Sequence, residues 1–230
     1  VRIEIPNVIG SKMVWGEDFS SRAAMQSRGA VIVGCQVGAS QGGSISPTAV
    51  SSRVTFGGTN AVLDGANRMT IALRFKTPAT LAAGVVLSKS AEALTDNQWF
   101  VQFESGYVAL YIANAIGDFG QILYTSATLA LSTEYVMHAA YDGTLAAASR
   151  GAWYVNGAVA GSSITGTLPT KMRASLVPIT ALQRSSGTTR APATDFILRS
   201  ARIYSVAWTA QECADDYAQQ TYNKVFGGGA

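Results

Sequence analysis

Histidine is almost missing from this chain, with His138 its sole copy, and cysteine is scarce, at Cys35 and Cys213 alone. There is no C-x-x-C, no H-E-x-x-H and no four-ligand set, so zinc sites and most histidine-based nucleophile chemistry lack their residues. Charge is sparse too: 13% of the 230 residues are Asp, Glu, Lys or Arg, against roughly 25% in an ordinary soluble domain. That excludes a coiled coil rich in Glu and Lys, and the 48% hydrophobic content excludes disorder. No apolar run nears the ~18 residues of a membrane helix, because Gly, Ser, Thr and charges interrupt every stretch, so no membrane insertion is expected. The 17 basic and 14 acidic residues leave a formal charge of +3 without a block of like charge. No nucleic-acid partner is expected on that ground. No signal-peptide pattern is visible, and the compartment stays open at this level.

What is present is burial potential cut into short alternating segments. Residues 69–76 alternate Met69, Ile71, Leu73 and Phe75 with Thr70, Ala72, Arg74 and Lys76, the period of a half-buried strand. Similar segments lie at 31–33, 84–89, 98–104, 107–113, 135–141, 152–155 and 195–204. Asn156-Gly157 and Asp142-Gly143 are turn signals, and Ser105-Gly106 reads as a hairpin tip. Strands at this spacing predict an all-β, two-sheet antiparallel sandwich within one large domain. One segment reads as a short C-terminal helix: Thr209-x-x-Glu212 forms a capping box before a run free of Gly and Pro up to Tyr222. Residues 1–52, broken by Gly42-Gly43 and Pro47, are expected to form an irregular N-terminal arm or edge extension. Residues 223–230, ending Gly-Gly-Gly-Ala, are expected to form a flexible tail or the start of a linker.

Four local patterns, in order, resemble the laminin-G-like jelly roll of the concanavalin A-like lectin and glucanase superfamily, across residues 53–222. Val54-Thr55-Phe56-Gly57-Gly58 leading to Met69–Lys76 is similar to its opening strands, and Leu87-Ser88-Lys89 followed by Trp99–Phe103 to the next pair. Tyr141-Asp142-Gly143 with Tyr154-Val155-Asn156-Gly157 resembles the family's Y-D-G and Y-V-N-G pair. Arg202-Ile203-Tyr204 running into Trp208–Glu212 resembles the closing strand and helix. Two departures stand out. Arg74 occupies a position where the family often has Trp, and Leu198-Arg199-Ser200 replaces an acidic pair.

The superfamily contains glycoside hydrolases, which need two carboxylates about 5–5.5 Å apart for retention. Same-face strand residues two apart lie ~6.5–7 Å apart, hence the acidic alternation of those enzymes. This chain has no such alternation. Its adjacent acids, Glu17-Asp18 and Asp215-Asp216, point to different faces and read as solvated surface, so no catalytic residue and no enzyme is expected. His138, between apolar neighbours, reads as a packed strand histidine. The resemblance implies calcium as a possible cofactor, with Asp96, Asp118 and Asp142 in predicted loops; none forms a D-x-D-x-D cluster, so turn capping is the preferred reading and no metal site is assigned.

Two candidate ligand-binding sets remain. The aromatics Trp99, Tyr107, Tyr111, Trp153 and Tyr154 lie on or between strands, and alternation sends one ring of Trp99/Phe100 and one of Trp153/Tyr154 out of the inter-sheet core. The basic set is Arg74 and Lys76 on the outer face of one strand, with Arg199 and Arg202 beside them if the family topology holds. By parity Arg199 falls with inward residues, so a bulge has to re-aim it or the register differs. Cys213, the fourth residue after the cap, and Cys35, after an apolar run, are expected as two separate, buried, reduced thiols.

Few charges and many Ala, Gly, Ser and Thr suit a virion or extracellular protein. The expected function is a non-catalytic structural or adhesive module, such as a phage capsid decoration or tail-fibre component; the alternative is a free carbohydrate-binding lectin. Its partner is then a protein surface of a larger assembly or a cell-surface glycan, with homo-oligomerisation supplying avidity.

Overall fold

The computed structural model describes residues 12–19, 21–38, 43–49, 51–59, 61–91, 96–104, 107–115, 118–124, 129–184 and 193–226. They form two packed antiparallel sheets, a short helix α1 (Arg22–Ser27) and a C-terminal helix. Sheet A runs β13 (Ala158–Ala160), β12 (Gly151–Val155), β11 (Glu134–Asp142), β6 (Arg68–Lys76), β16 (Ile197–Tyr204), β4 (Ser44–Pro47), β3 (Cys35–Gly38), with β1 (Met13–Glu17) also pairing β16. Sheet B runs β14 (Ser162–Thr165), β10 (Asp118–Tyr124), β9 (Tyr107–Ala115), β8 (Asn97–Glu104), β7 (Gly84–Ser90), β15 (Ile179–Ala181), β5 (Arg53–Phe56), β2 (Ala30–Val33). The expected all-β sandwich with one C-terminal helix is the observed fold.

Alternation fills the space between the sheets. Met69, Ile71, Leu73 and Phe75 all enter the core from β6, and meet Met137, Ala139 and Tyr141 of β11 and Leu198, Ala201 and Ile203 of β16. Phe75, Phe103 and Phe196 pack with ring centroids 5.5–5.7 Å apart, so apolar area and ring geometry act together there. Each such ring, fully buried, stabilises by roughly 1.5–3 kcal/mol from area alone.

The stretch expected as an irregular arm supplies strands to both sheets. β2 pairs β5 in sheet B and β3 pairs β4 in sheet A, with Gly34 between them at φ 60°. That left-handed turn is open to glycine at little cost and carries the chain from one sheet to the other. These strands are four or five residues long. Apart from Val31–Val33, segments that short show too few alternations to stand out in sequence. Among the described residues β2 and β3 are the outermost strands of their sheets, while β4 lies between β3 and β16 and β1 pairs β16.

Helix α2 (Ala210–Phe226) begins where the capping box places it: Glu212 N donates to Thr209 Oγ1 at 3.3 Å and Thr209 N donates to Glu212 Oε2 at 2.7 Å. It continues into the stretch expected as a tail, whose last residues, 227–230, lie outside the described set. The helix lies on the outer face of sheet A, over Ala72, Ala140, Tyr154, Tyr204 and Trp208, and buries Cys213 there. The Asn156-Gly157 tip has φ 50° and 78°, the type I′ combination. A Cβ on Gly157 would lie 3.1 Å from Ala214 and Tyr217, so this glycine serves both the turn and the seating of the helix.

Candidate functional site

The two outer faces of the sandwich carry the side chains that alternation turns away from the core. On sheet B, register places Phe100 of β8 opposite Tyr111 of β9. Their rings stack at 4.3 Å with 12° between planes, and Phe119 of β10 stands edge-on to both, at 5.2 and 6.2 Å. The Tyr111 hydroxyl donates to Glu104 Oε1 at 2.8 Å, and Gln102 Nε2 donates to the same oxygen at 2.7 Å. Burial, then the bond to Glu104, raises the Tyr111 pKa well above the ordinary tyrosine range, so the phenol stays a donor.

A turn after β15 completes this cluster. Leu182, at φ 70°, holds a conformation that costs a branched residue energy. It reverses the chain so that the Gln183 carbonyl accepts from Ser88 Oγ at 3.1 Å and Thr180 Oγ1 at 2.7 Å. Arg184 is thereby laid over the Phe100 ring, 3.9 Å from its centroid. A guanidinium on a ring face is a cation–π contact of about 0.5–2 kcal/mol. The result is a half-buried aromatic surface, Tyr111 and Phe119, fringed by Arg184, Gln102 and Glu104.

On sheet A the outer face is charged and lies beneath the helix. His138 Nε2 is 2.8 Å from Asp216 Oδ2, Arg202 Nη1 donates to Asp216 Oδ1 at 3.2 Å, and Gln220 Nε2 donates to Asp216 Oδ2 at 2.5 Å. Farther along, Glu134 accepts from Arg199 Nε at 2.7 Å and Nη2 at 2.6 Å, and its other oxygen lies 3.8 Å from Arg74 Nε. Burial lowers the Arg74 pKa; Glu134 offsets this, and the nearby charges of Arg199 and Arg202 add to it. Between this cluster and the helix lies a cavity of about 170 Å³ lined by Arg74, Glu134, Tyr135, Tyr217, Gln220 and Thr221, among others.

The candidate residues divide accordingly. Tyr111 is on the aromatic surface. Trp99 and Trp153 are not: both are fully buried between the sheets, with Trp153 Nε1 donating to Ile122 O at 2.8 Å. Of the two adjacent pairs, Phe100 and Tyr154 are the rings that leave the core, Phe100 to the open face and Tyr154 to the underside of α2. The parity argument was right about the division, but the larger ring of each pair took the interior, where it buries more area. Tyr107 lies at the end of β9, lining a small crevice with Leu81, Phe103 and Tyr124 instead of joining the stack. Arg74 and Lys76 are on the outer face of β6, and Arg74 lines the cavity.

The bulge needed to re-aim Arg199 exists. Register slips between Leu198, opposite Phe75, and Ser200, opposite Arg74, so Arg199 is the extra residue and turns outward to Glu134. Two acids read as surface are buried instead: Glu17 is paired with Arg28, and Asp216 is 1% exposed. Helical spacing held the signal for Asp216. Positions 213, 216 and 220 share a face with period near 3.6, and the capping box had already set the helix register.

Calcium does not fit the acids that the resemblance offered. Asp96 accepts from Leu176 N, Asp118 from Asn114 Nδ2, and Asp142 from Thr144 and Arg68. The Asp142 bond to Thr144 caps a turn, that of Asp118 is to a side chain four residues back and that of Asp96 crosses to Leu176, and among the described residues no group of three His, Cys, Asp or Glu is placed to hold a metal. Cys35 and Cys213 are both buried free thiols, and burial raises both pKa values, that of Cys35 to about 11.

No protein-family model matches the chain, and neither does any curated protein sequence. Solved structures do. The binding domain of botulinum neurotoxin serotype G superposes with a TM-score of 0.63 at 15% identity, covering 84% of this chain and 47% of that one. The binding domain of Paraclostridial Mosquitocidal Protein 1 gives 0.65 at 11% identity, covering 90% and 52%. A botulinum neurotoxin type C structure gives 0.62 at 8% identity, covering 94% and 53%. The likeness is one of fold. This chain spans about half the length of each of these proteins, so a ligand named for them belongs to the whole of each.

Proposed function

We propose that this chain is a non-catalytic binding module for a carbohydrate on a cell or particle surface. The observation that carries the reading is the Phe100–Tyr111–Phe119 cluster with its fringe of Arg184, Gln102 and Glu104. Aromatic faces take the C–H faces of a sugar, while the polar fringe takes its hydroxyls. The fold neighbours support it: they are receptor-binding domains, and cell entry of botulinum neurotoxin type C depends on two ganglioside molecules.

The module works as a part of a larger adhesive or structural assembly, extracellular or on a virion such as a phage decoration or tail fibre. Low charge and a hydroxyl-rich composition support that setting, and the sequence resemblance to the laminin-G-like jelly roll accords with it. Assembly of several copies would multiply weak sugar contacts. Strand β2 favours self-association, since it ends sheet B with Val31 59% and Val33 43% exposed, an apolar edge open to pairing.

A glycan array with the chain presented multivalently tests the reading. Sugar binding lost on Tyr111→Ala with the melting temperature retained is the expected result. Absence of binding to every glycan, with tight docking to a protein shell, would replace the carbohydrate partner with a protein one.

A further inference from the structure

The cavity between the outer face of sheet A and helix α2 stands apart from the aromatic surface. We infer that it is a second binding site, for a single acidic sugar residue held by its carboxylate and hydroxyls. This rests on the carbohydrate reading above and adds to it a separate site and a ligand class.

Size comes first. The cavity is about 170 Å³, and roughly 150 Å³ is enough to accept a six-membered ring. Its walls include the side chains of Tyr135 and Tyr217 on opposite elements, one on β11 and one on α2, so a ring would lie between strand and helix.

The polar atoms specify the chemistry. Gln220 is 9% exposed, and its Nε2 is committed to Asp216, which leaves Oε1 buried with no hydrogen-bond partner at the cavity wall. Glu134 is in a similar position: Oε1 is taken by Arg199, and Oε2, 3.8 Å from Arg74 Nε, is buried and accepts no hydrogen bond. A buried acceptor that makes no hydrogen bond is costly, so both oxygens ask for a ligand that brings hydroxyl donors. The third wall group is a cation. Arg74 lies within the influence of Arg199 and Arg202, and the outer face carries Arg74, Lys76, Arg199 and Arg202 against Glu134 and Asp216. Crowded guanidinium groups favour an anion, and a planar carboxylate suits the guanidinium fork.

Hydroxyls and one carboxylate on a single small ring describe a hexuronic acid. A neutral sugar leaves Arg74 with only its 3.8 Å contact to Glu134, which Arg199 already shares. A simple anion leaves both acceptors empty.

The test is titration of the full chain with glucuronate, glucose and acetate, followed by two-dimensional NMR. The result expected is saturable binding of glucuronate, at least tenfold tighter than glucose or acetate, with shifts at Asn156, Gln220 and Thr221. Gln220→Met and Thr221→Trp should each weaken it at least tenfold, the first by removing the acceptor at near-constant volume and the second by filling the mouth from an exposed position. Equal binding of glucose, equal binding of acetate, or glucuronate binding that Thr221→Trp leaves intact would each overturn the site. The two readings fail separately. Array binding that Tyr111→Ala abolishes and Thr221→Trp does not touch, with no glucuronate effect, removes the cavity site and keeps the carbohydrate module. No binding in either assay removes both.

Discussion

The outer face of sheet A carries buried charge under a seventeen-residue helix, while that of sheet B carries stacked rings under a turn that ends in one arginine. The same two-residue alternation produced both. They differ in what the covering element had to supply. Rings on sheet B satisfy one another, and the Gln102 and Glu104 side chains beside them are half-exposed. Arg202 and His138 on sheet A could be covered only by a helix that brought a carboxylate to meet them, and Asp216 is that carboxylate. A covered charged face needs its partners matched group by group, and a cavity persists where the match stops.

Removing the matched group should have the largest effect. Asp216→Ala leaves Arg202, His138 and Gln220 without their shared acceptor and should cost about 3–5 kcal/mol in chemical denaturation. Glu104→Ala on sheet B also strips an acceptor from two donors, yet at a half-exposed site water replaces it, and the loss should be about 1–2 kcal/mol. Equal losses would show that the two faces are covered to the same depth.

A pH titration sharpens the comparison next. Burial raises the pKa of Tyr141, to about 12, and raises those of Tyr154, Tyr204 and Tyr111. The folded state thus prefers the neutral phenol. The stability these rings contribute is complete below the ordinary value near 10 and falls as pH rises toward about 12 and beyond, because the unfolded chain gives up those protons first. Absorbance of ionised tyrosine should show these four rings titrating late, together with unfolding. Since Tyr154 and Tyr204 lie under α2 and Tyr111 lies on sheet B, Tyr111→Phe should remove one late proton without disturbing the others.

The smallest effect tests whether the helix opens by itself. Thr209→Ala removes the cap and should cost about 1 kcal/mol. Cys213, fully buried under the helix, should then react with a thiol reagent roughly fivefold faster, the same energy read as local opening. Cys35, at the far side of sheet A on β3, should react at an unchanged rate. A parallel rise at both thiols would mean that the whole domain opens as one unit.

Much of the frame was legible from residues alone. The alternation over 69–76 placed Met69, Ile71, Leu73 and Phe75 in the inter-sheet core, as observed, because that face of the strand meets apolar groups along its whole length. On the opposite face Thr70 and Ala72 are buried as well, since the outer face of sheet A is covered there. The capping box set the helix start, and Asn156-Gly157 set a hairpin, because both depend on atoms a few residues apart. Strand β10 and, apart from β2, the strands before residue 53 escaped notice: Asp118–Tyr124 lacks clean alternation, and the early strands are short. The site was less legible than the fold. Parity showed that one ring of each aromatic pair leaves the core and could not say which, since that depends on the space left by the opposite sheet.

By itself the sequence determined that this chain folds by burying alternating strands, that a capped helix follows the last of them, and that zinc sites and most histidine-based nucleophile chemistry lack their residues. Those properties are local or compositional. Only the tertiary structure decided that Asp216 meets His138 across 78 residues, that a bulge turns Arg199 out to Glu134, and that Arg184 lies on Phe100. Each depends on how two distant strands, or a strand and a helix, align in space. A one-residue slip in that alignment exchanges the inner and outer faces, and nothing within either segment records it.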